Sequence, residues 1–419
     1  MASEWPLVPV ARIAAPARNA LVGGPFGSNL VSRDYVVSGV PVIRGQNMGA
    51  RWLAGEFAFV TTEKAESLSP NLARPGDLIF TQRGTLGQVS LVPSGPYDSY
   101  LVSQSQMKLT VNPEIADPRF YYYVFISPGQ QAYVRQHSIQ TGVPHINLGI
   151  LRDTPVPLPS LVEQRTIAEV LGALDDKIEL NRRASEVLDA MALTHFKSWF
   201  IDFDPVRGHG RGEALPEPLV GLFPKELVQS ELGKIPASWA VGALGDVVLL
   251  QRGFDLPASQ RRTGGVPVVA ASGFNGTHDE AKVKGPGVVT GRSGVLGDVY
   301  FVHEDFWPLN TTLWVRDYRH ATPAFAYYLL RELPLSLFNA GSAVPTLNRN
   351  HAHAVRVVIP PMRVIDMFEK LVSPLLERIR TLAAESKALA ALRDTLLPKL
   401  ISGELRIREA ERILATAPL

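Results

Sequence analysis

The sequence predicts an α+β protein with a pseudo-two-fold internal repeat: two similar mixed α/β heads joined by a long antiparallel two-helix coiled coil. Three observations predict it. First, residues 161–200 align with residues 362–401 at a shift of 201. Ile167, Leu171, Leu174, Ile178, Asn181, Ser185, Leu188 and Ala192 follow 4-3-4-3 spacing, and Phe368, Val372, Leu375, Ile379, Leu382, Ser386, Leu389 and Arg393 fall at the matching places. Seams of that spacing are what coiled-coil helices bury. Second, the segments before the helices repeat in order. Val143–Asn147 (VPHIN) matches Val344–Asn348 (VPTLN) at the same shift of 201. Pro118, Phe120, Tyr122 and Tyr123 match Pro323, Phe325, Tyr327 and Tyr328 at 205, Gly84–Gly87 matches Gly294–Gly297 at 210, Gly39–Ile43 matches Gly265–Val269 at 226, and Trp5 matches Trp239 at 234. The shift grows toward the N-terminus, as it does if the second head has lost loop residues. Third, both heads carry short β-type runs broken by Gly and Pro.

The elements follow in order. The first head, residues 1–160, contains the β-runs VPVIRG, DLIFTQ and QVSLV, a helix around PRFYYYVFISPGQQAYVRQ, and the closing segment PVPLP. A helical segment, residues 161–203, follows. Ser160 with Glu163 forms a capping-box pattern at its start, and the helix reaches about Trp199, a length of about 60 Å at 1.5 Å per residue. Gly172 is a weak spot inside it. Residues 204–236, rich in Pro and Gly, read as a linker, and Trp199 and Phe200 at the helix end read as an anchor for either this linker or a partner. The second head spans residues 237–361 and ends in VVIPPM. A distal helix, residues 362–402, runs regularly to about Leu396, where Pro398 is expected to disturb the last turn. Residues 403–419 form a tail with room for a short helix. An isolated heptad seam would point to dimerisation. Two seams in one chain, each following a head, point to pairing within the molecule, with the polar positions Asn181, Ser185 and Ser386 setting register.

Composition bounds the function. The 419 residues suit two to three domains. There is no cysteine, so disulfides and thiolate metal sites are excluded. The first twenty residues lack the pattern of a secretory signal and no stretch approaches a membrane span, so a cytoplasmic protein is expected. Net charge is only +2, but residues 161–235 carry −4, and 19 of the 23 basic residues of the heads are arginine. Arginine grips phosphate and reads guanine bidentately. A GC-rich genome that favours arginine codons accounts for the same bias.

The candidate contacts lie in loops. The turns Gly84–Gly87 and Gly294–Gly297 are not P-loops, because no Gly-Lys-Ser/Thr follows. They read as tight turns between strands, flanked by Gln82 and Arg83, with Thr85 inside, and by Arg292 and Ser293. Glycines let a loop approach DNA while Arg and Gln reach base edges or phosphates. Arg44, Gln46 and Asn47 follow a β-run, either as base readers or as a polar turn. Arg252, Arg261 and Arg262 precede the matched strand of the second head, and Asn310, Arg349 and Asn350 complete the DNA-binding set. Asn147 and Asn348 are shared by both heads and are expected to cap turns. His351 and His353 lack further ligands, so no metal site is expected. HExxH, GxSxG and dinucleotide motifs are missing, as is an Asn-Pro-Pro-aromatic methyltransferase segment, which points to a recognition device and not an enzyme.

Segment 158–206 (LPSLVEQRTIAEVLGALDDKIELNRRASEVLDAMALTHFKSWFIDFDPV) resembles the central conserved region of type I restriction–modification specificity subunits. LFPKELVQSELGKIPASW resembles their linker into the second recognition domain, and ALRDTLLPKLISGELRI their C-terminal conserved region. The distal helix departs from the pattern at its start, where PPMRVIDMFEKL lacks the Glu163-Gln164-Arg165 triplet of the first. The resemblance implies that each head is a target recognition domain reading one half of a split DNA site. The helix pair would fix the spacing, and two modification (methyltransferase) subunits would dock on the chain, its seam residues Ile167, Leu171, Leu174, Ile178, Leu188, Phe368, Val372, Leu375, Ile379 and Leu389 holding the platform. Two restriction subunits would complete the nuclease. S-adenosylmethionine, ATP and Mg are then expected on the partners, with no cofactor in this chain. The rival expectation is a two-headed protein-binding scaffold without DNA specificity.

Overall fold

The computed structural model describes residues 5–140, 143–210, 216–339 and 345–416, so Val344 of the repeated motif and the middle of the linker lie outside it. The chain divides into two compact units, Met1–Leu180 with Glu385–Leu419, and Asn181–Ala384.

The first unit is built on an antiparallel four-stranded sheet in the order Leu21–Gly23, Gln106–Leu109, Leu78–Thr81, Val89–Leu91. A five-stranded mixed sheet accompanies it, in which Val40–Ile43 runs parallel to Tyr100–Val102. The second unit repeats the plan. Its four-stranded antiparallel sheet has the order Leu249–Arg252, Thr312–Asp317, Gly287–Gly291, Val299–Val302. In its smaller sheet Val266–Ala270 runs parallel to Trp307–Pro308. Each unit also pairs the strand after its repeated tryptophan with the strand before its long helix: Leu7–Pro9 with Pro155–Pro157, and Ala240–Ala243 with Arg356–Ile359. The fold is therefore α+β with two similar heads, as the repeat predicted.

The boundary between the units falls inside both long helices, Leu161–Phe200 and Met362–Ser402. In the first unit Ile167, Leu171 and Leu174 share a core with Leu389, Leu396, Leu397, Leu400 and Ile401. Lys177 pairs with Glu385 at 3.2 Å and Asp175 with Arg393 at 2.7 Å. In the second unit Ala192 and Phe196 share a core with Phe368, Val372 and Leu376, and the Phe196 and Phe368 rings lie 5.8 Å apart. The leading half of one helix thus meets the trailing half of the other in each unit, which is antiparallel pairing. Ile178, Leu188, Leu375 and Ile379 are half-buried, and Leu376 is more deeply buried than its neighbour Leu375. Asn181 is buried within this seam.

Three local expectations change. The distal helix runs on through Pro398 to Ser402. An interior proline costs about 3 kcal/mol, but Leu400 and Ile401 are buried beyond it, and each contributes about 1.5–3 kcal/mol. The segment expected as one helix is two, Pro118–Ile126 and Pro128–His137, because Ser127 before a proline is extended at ψ 146°. Residues 204–236 are more than a linker: Leu227–Ser230 and Gly233–Pro236 form a hairpin, and Phe223 and Ile235 enter the second core. There the Trp199 and Phe223 rings meet at 5.3 Å, so Trp199 anchors this segment.

At the start of the first long helix the capping box forms: Glu163 N–H donates to Ser160 Oγ at 3.3 Å and Ser160 N–H to Glu163 Oε2 at 3.1 Å. Gln164, fully buried, accepts from Asp117 N–H at 2.8 Å and donates to the Ile115 and Pro159 carbonyls at 2.9 and 3.0 Å. The distal helix has the buried, apolar Ile365 at the place matched to Gln164. There Glu369 instead accepts from Ala324 N–H at 3.1 Å, at the start of the helix Pro323–Glu332. A carboxylate suits that end because the helix dipole is positive there.

Candidate nucleic-acid interface

Both glycine turns are β-hairpin tips. In the first unit the turn joins Leu78–Thr81 to Val89–Leu91, and in the second it joins Gly287–Gly291 to Val299–Val302. Gly84, Gly87, Gly294 and Gly297 all have φ between 88° and 105°, a region that side chains with a Cβ avoid.

The tips are held in identical backbone frames. Gln82 and Arg83 N–H both donate to the Ser105 carbonyl, at 2.7 and 3.3 Å. Arg292 and Ser293 N–H both donate to the Thr311 carbonyl, at 2.8 and 3.0 Å. Ile146 N–H donates to the Gln82 carbonyl at 3.0 Å, and Leu347 N–H to the Arg292 carbonyl at 2.8 Å. Gln82 therefore corresponds to Arg292, and Arg83 to Ser293. Ile146 and Leu347, at matched places in the repeated segments, clamp the hairpins, while Asn147 and Asn348 cap the following helices by accepting from Ile150 N–H at 2.8 Å and Asn350 N–H at 2.9 Å.

A second pair of glycines closes the frame. Gly24 N–H donates to the Gln106 carbonyl at 2.9 Å and Gly253 N–H to the Thr312 carbonyl at 3.1 Å. A Cβ at Gly24 would lie 1.9 Å from the Ser103 carbonyl oxygen, and one at Gly253 would lie 2.3 Å from that of Leu309. Neither glycine, nor Ser103–Gln106 beside them, stood out in the sequence. Only the parallel with Leu309–Thr312 could have marked them. Phe26, next to Gly24, is 83% exposed.

The candidate side chains divide on this frame. Arg83 and Thr85 are exposed and Gln82 is half-buried. Arg292 is half-buried and its Nη1 donates to the Asn310 carbonyl at 3.1 Å. The Asn310 amide donates to Asp255, whose carboxylate lies 3.9 Å from Arg252. Ser293 is half-buried and its backbone bridges to Thr346. Arg349 and Asn350 are exposed, directly after the segment clamped to Arg292. Gln46 is exposed and donates to the Glu56 carbonyl at 3.1 Å.

Asn47 corrects the sequence reading. It is buried, accepts from Arg44 N–H at 3.0 Å, and donates to the Ala54 and Glu56 carbonyls at 3.1 and 2.9 Å. Both its N–H groups are engaged in shaping the loop, so it supports Gln46 and Arg44 and reads no base. Arg261 and Arg262 are engaged by the strand Gly273–His278 and the residue after it. Arg261 donates to the Asn275 side chain at 2.9 Å, and Arg262 to Asp279 at 2.7 Å. The hydrogen bond from Arg262 holds the Asp279 carboxyl below the usual range. His353 is structural: its Nε2 accepts from Leu250 N–H at 2.8 Å. Among the described residues no group of three or more His, Cys, Asp or Glu is placed to hold a metal, and no helix is long and apolar enough to cross a membrane.

Each hairpin thus offers Arg, Gln or Ser from a glycine-opened edge, which is chemistry suited to base edges and phosphates. Comparison with known proteins agrees with this picture. Residues 38–190 match the family model described as the type I restriction modification DNA specificity domain. The chain is 24% identical over 377 residues to the type I restriction enzyme MjaIX specificity subunit of Methanocaldococcus jannaschii, covering 83% of this chain and 82% of the relative. It is 24% identical over 399 residues to the HindI specificity subunit of Haemophilus influenzae, covering 79% and 87%. Its fold is similar to that of the crystal structure of the type I restriction–modification S subunit from M. genitalium, with a TM-score of 0.59, 17% identity, and coverage of 95% and 96%.

Proposed function

Because the chain belongs to the family of type I restriction–modification specificity subunits, and so is a recognition subunit and not an enzyme, we propose that each of its heads reads one half of a bipartite, asymmetric DNA site. One observation carries this reading: the two hairpins share a backbone frame but present different side chains, Gln82 and Arg83 in one and Arg292 and Ser293 in the other. A duplicated frame with unlike readers suits two unlike half-sites. Arg44, Gln46, Thr85, Arg252, Arg349 and Asn350 add contacts around it, with the more solvent-exposed cations on phosphates.

The antiparallel helices would fix the gap between half-sites, and the chain would dock methyltransferase subunits, and through them restriction subunits, in the cytoplasm. The methyl donor and ATP with Mg would be held by those partners. Base methylation requires the target base to leave the stack, and a subunit gripping both half-sites would hold the duplex still for that step.

The test is a methylome. The chain is expressed with its methyltransferase in a host without adenine methylation, with the methyltransferase alone as control. A split motif with a fixed gap that appears only with this chain supports the proposal. A stable complex that methylates no motif contradicts it and favours the protein-binding scaffold.

A further inference from the structure

Resting on that reading, the geometry points to residue 82 and its equivalent, residue 292, as the base-reading position of each hairpin, Gln82 taking an adenine and Arg292 a guanine. Residues 82 and 83 directly follow the strand Leu78–Thr81 and both give their N–H groups to one carbonyl, as 292 and 293 do after Gly287–Gly291, so the two heads correspond residue by residue here. The shared frame makes Gln82 equivalent to Arg292, and Arg83 to Ser293.

Side-chain support separates the two positions. Gln82 is half-buried, and its Oε1 lies 3.8 Å from where a Cβ on Gly23 would stand. Arg292 is half-buried and fixed by one Nη1 bond to the Asn310 carbonyl, which leaves the rest of its fork to a ligand. Asn310 is itself held by Asp255. A guanidinium aimed in this way is prepared for a bidentate partner, and an acidic neighbour in the same loop cluster disfavours a phosphate there. Arg83 has the opposite setting: it is exposed, and no ion pair engages it among the described residues. It suits a phosphate contact, which needs charge more than aim.

The chemistry of the two readers then fixes the base. Gln pairs bidentately with adenine N6 and N7, and Arg with guanine O6 and N7. One position would thus carry a one-residue difference in code between the heads.

The experiment maps methylated motifs for the complete complex carrying the wild-type chain, Q82R, R292Q, R292K or R83A. Q82R is expected to exchange one A·T requirement for G·C in the first half-site, by about tenfold or more in preference. R292Q is expected to make the reverse exchange in the second. In each case the other half-site and the gap stay unchanged. R292K keeps the charge but loses the planar fork, and is expected to relax that one base pair. R83A is expected to lower methylation at all sites alike. Unchanged motifs in Q82R, R292Q and R292K, with only uniform loss, would make position 82/292 a phosphate contact and overturn the inference. If Q82R or R292Q leaves too little methylation to map, competition binding of R292K complex to duplexes varied at each base pair decides: undiminished discrimination at every pair overturns it. A wild-type chain that yields no split motif would instead count against the proposed function.

Discussion

The Tyr123 hydroxyl donates to the Asp175 carboxylate at 2.6 Å, joining the first head's helix Pro118–Ile126 to the central helix. Burial, with Asp175 beside it, pushes the Tyr123 hydroxyl well above its ordinary range, so it stays a donor. Arg51 donates to the same hydroxyl at 3.3 Å and to the Gly172 carbonyl at 3.2 Å, and also pairs with Asp176. In the second unit Tyr328 donates to Asp189 at 3.1 Å, and Arg331 to the same carboxylate at 2.8 Å. The tyrosines match in the repeat; the aspartates do not. The same docking chemistry is supplied from a different place on the central helix.

Tyr123→Phe is expected to cost about 1 kcal/mol, the net worth of one hydrogen bond. Asp175→Ala costs more, about 2–3 kcal/mol, because Tyr123 loses its acceptor and Arg393 keeps only Asp394. Denaturant unfolding measures both. Equal, negligible effects would mean that this contact does not hold the head to its helix.

Gln164→Leu removes partners from Asp117 N–H and from the Ile115 and Pro159 carbonyls in a closed site. Unpaired buried groups cost about 1–3 kcal/mol each, so a loss of at least about 2 kcal/mol is expected. Glu369→Gln, which keeps an acceptor for Ala324 N–H, is expected to be much milder.

Gly24→Ala and Gly253→Ala force a carbonyl to move, since the new Cβ would meet it at 1.9 or 2.3 Å. Each is expected to destabilise by about 1–3 kcal/mol and to weaken recognition of its own half-site. Methylation assays on duplexes with one half-site altered separate the two, and circular dichroism confirms retention of the fold.

Acid is expected to weaken the second unit through His353. Burial pushes its pKa down, helped by Arg349 and Arg319, and its Nε2 must stay unprotonated to accept from Leu250 N–H. A folded pKa below the unfolded one means that the unfolded chain binds more protons. Stability is therefore complete above about pH 6.5 and falls as pH drops, by at most about 1.4 kcal/mol per pH unit. Urea unfolding at pH 7.5 and pH 5.5 reads this. His353→Gln, which can still accept, is expected to flatten the difference.

Much of the fold was legible because repetition amplifies weak signals. Val40–Ile43 and Val266–Ala270 became equivalent strands, and the seam of Leu171, Leu174 and Phe368 became core. Pro398 misled because propensity is local, whereas the burial of Leu400 and Ile401 is tertiary. Asn47 misled for a related reason: Asn suits adenine and suits a loop's own carbonyls equally, and only burial decides between them. Gly24 and Gly253 went unnoticed because their φ is ordinary and their constraint is a carbonyl far away in sequence. The correspondence of Gln82 with Arg292 was already present in the repeat's shift of 210, but it acquired meaning only from the shared backbone bonds.

The helix pair is proposed to set the spacing at which two half-sites are read. The most direct test of this deletes one heptad from each helix, residues 178–184 and 379–385, and maps the methylated motif. Seven residues are about 10 Å of helix, or about three base pairs. The expected result is the same two half-sites with a shorter gap. The same half-sites at the original gap, methylated at the original rate, would contradict it.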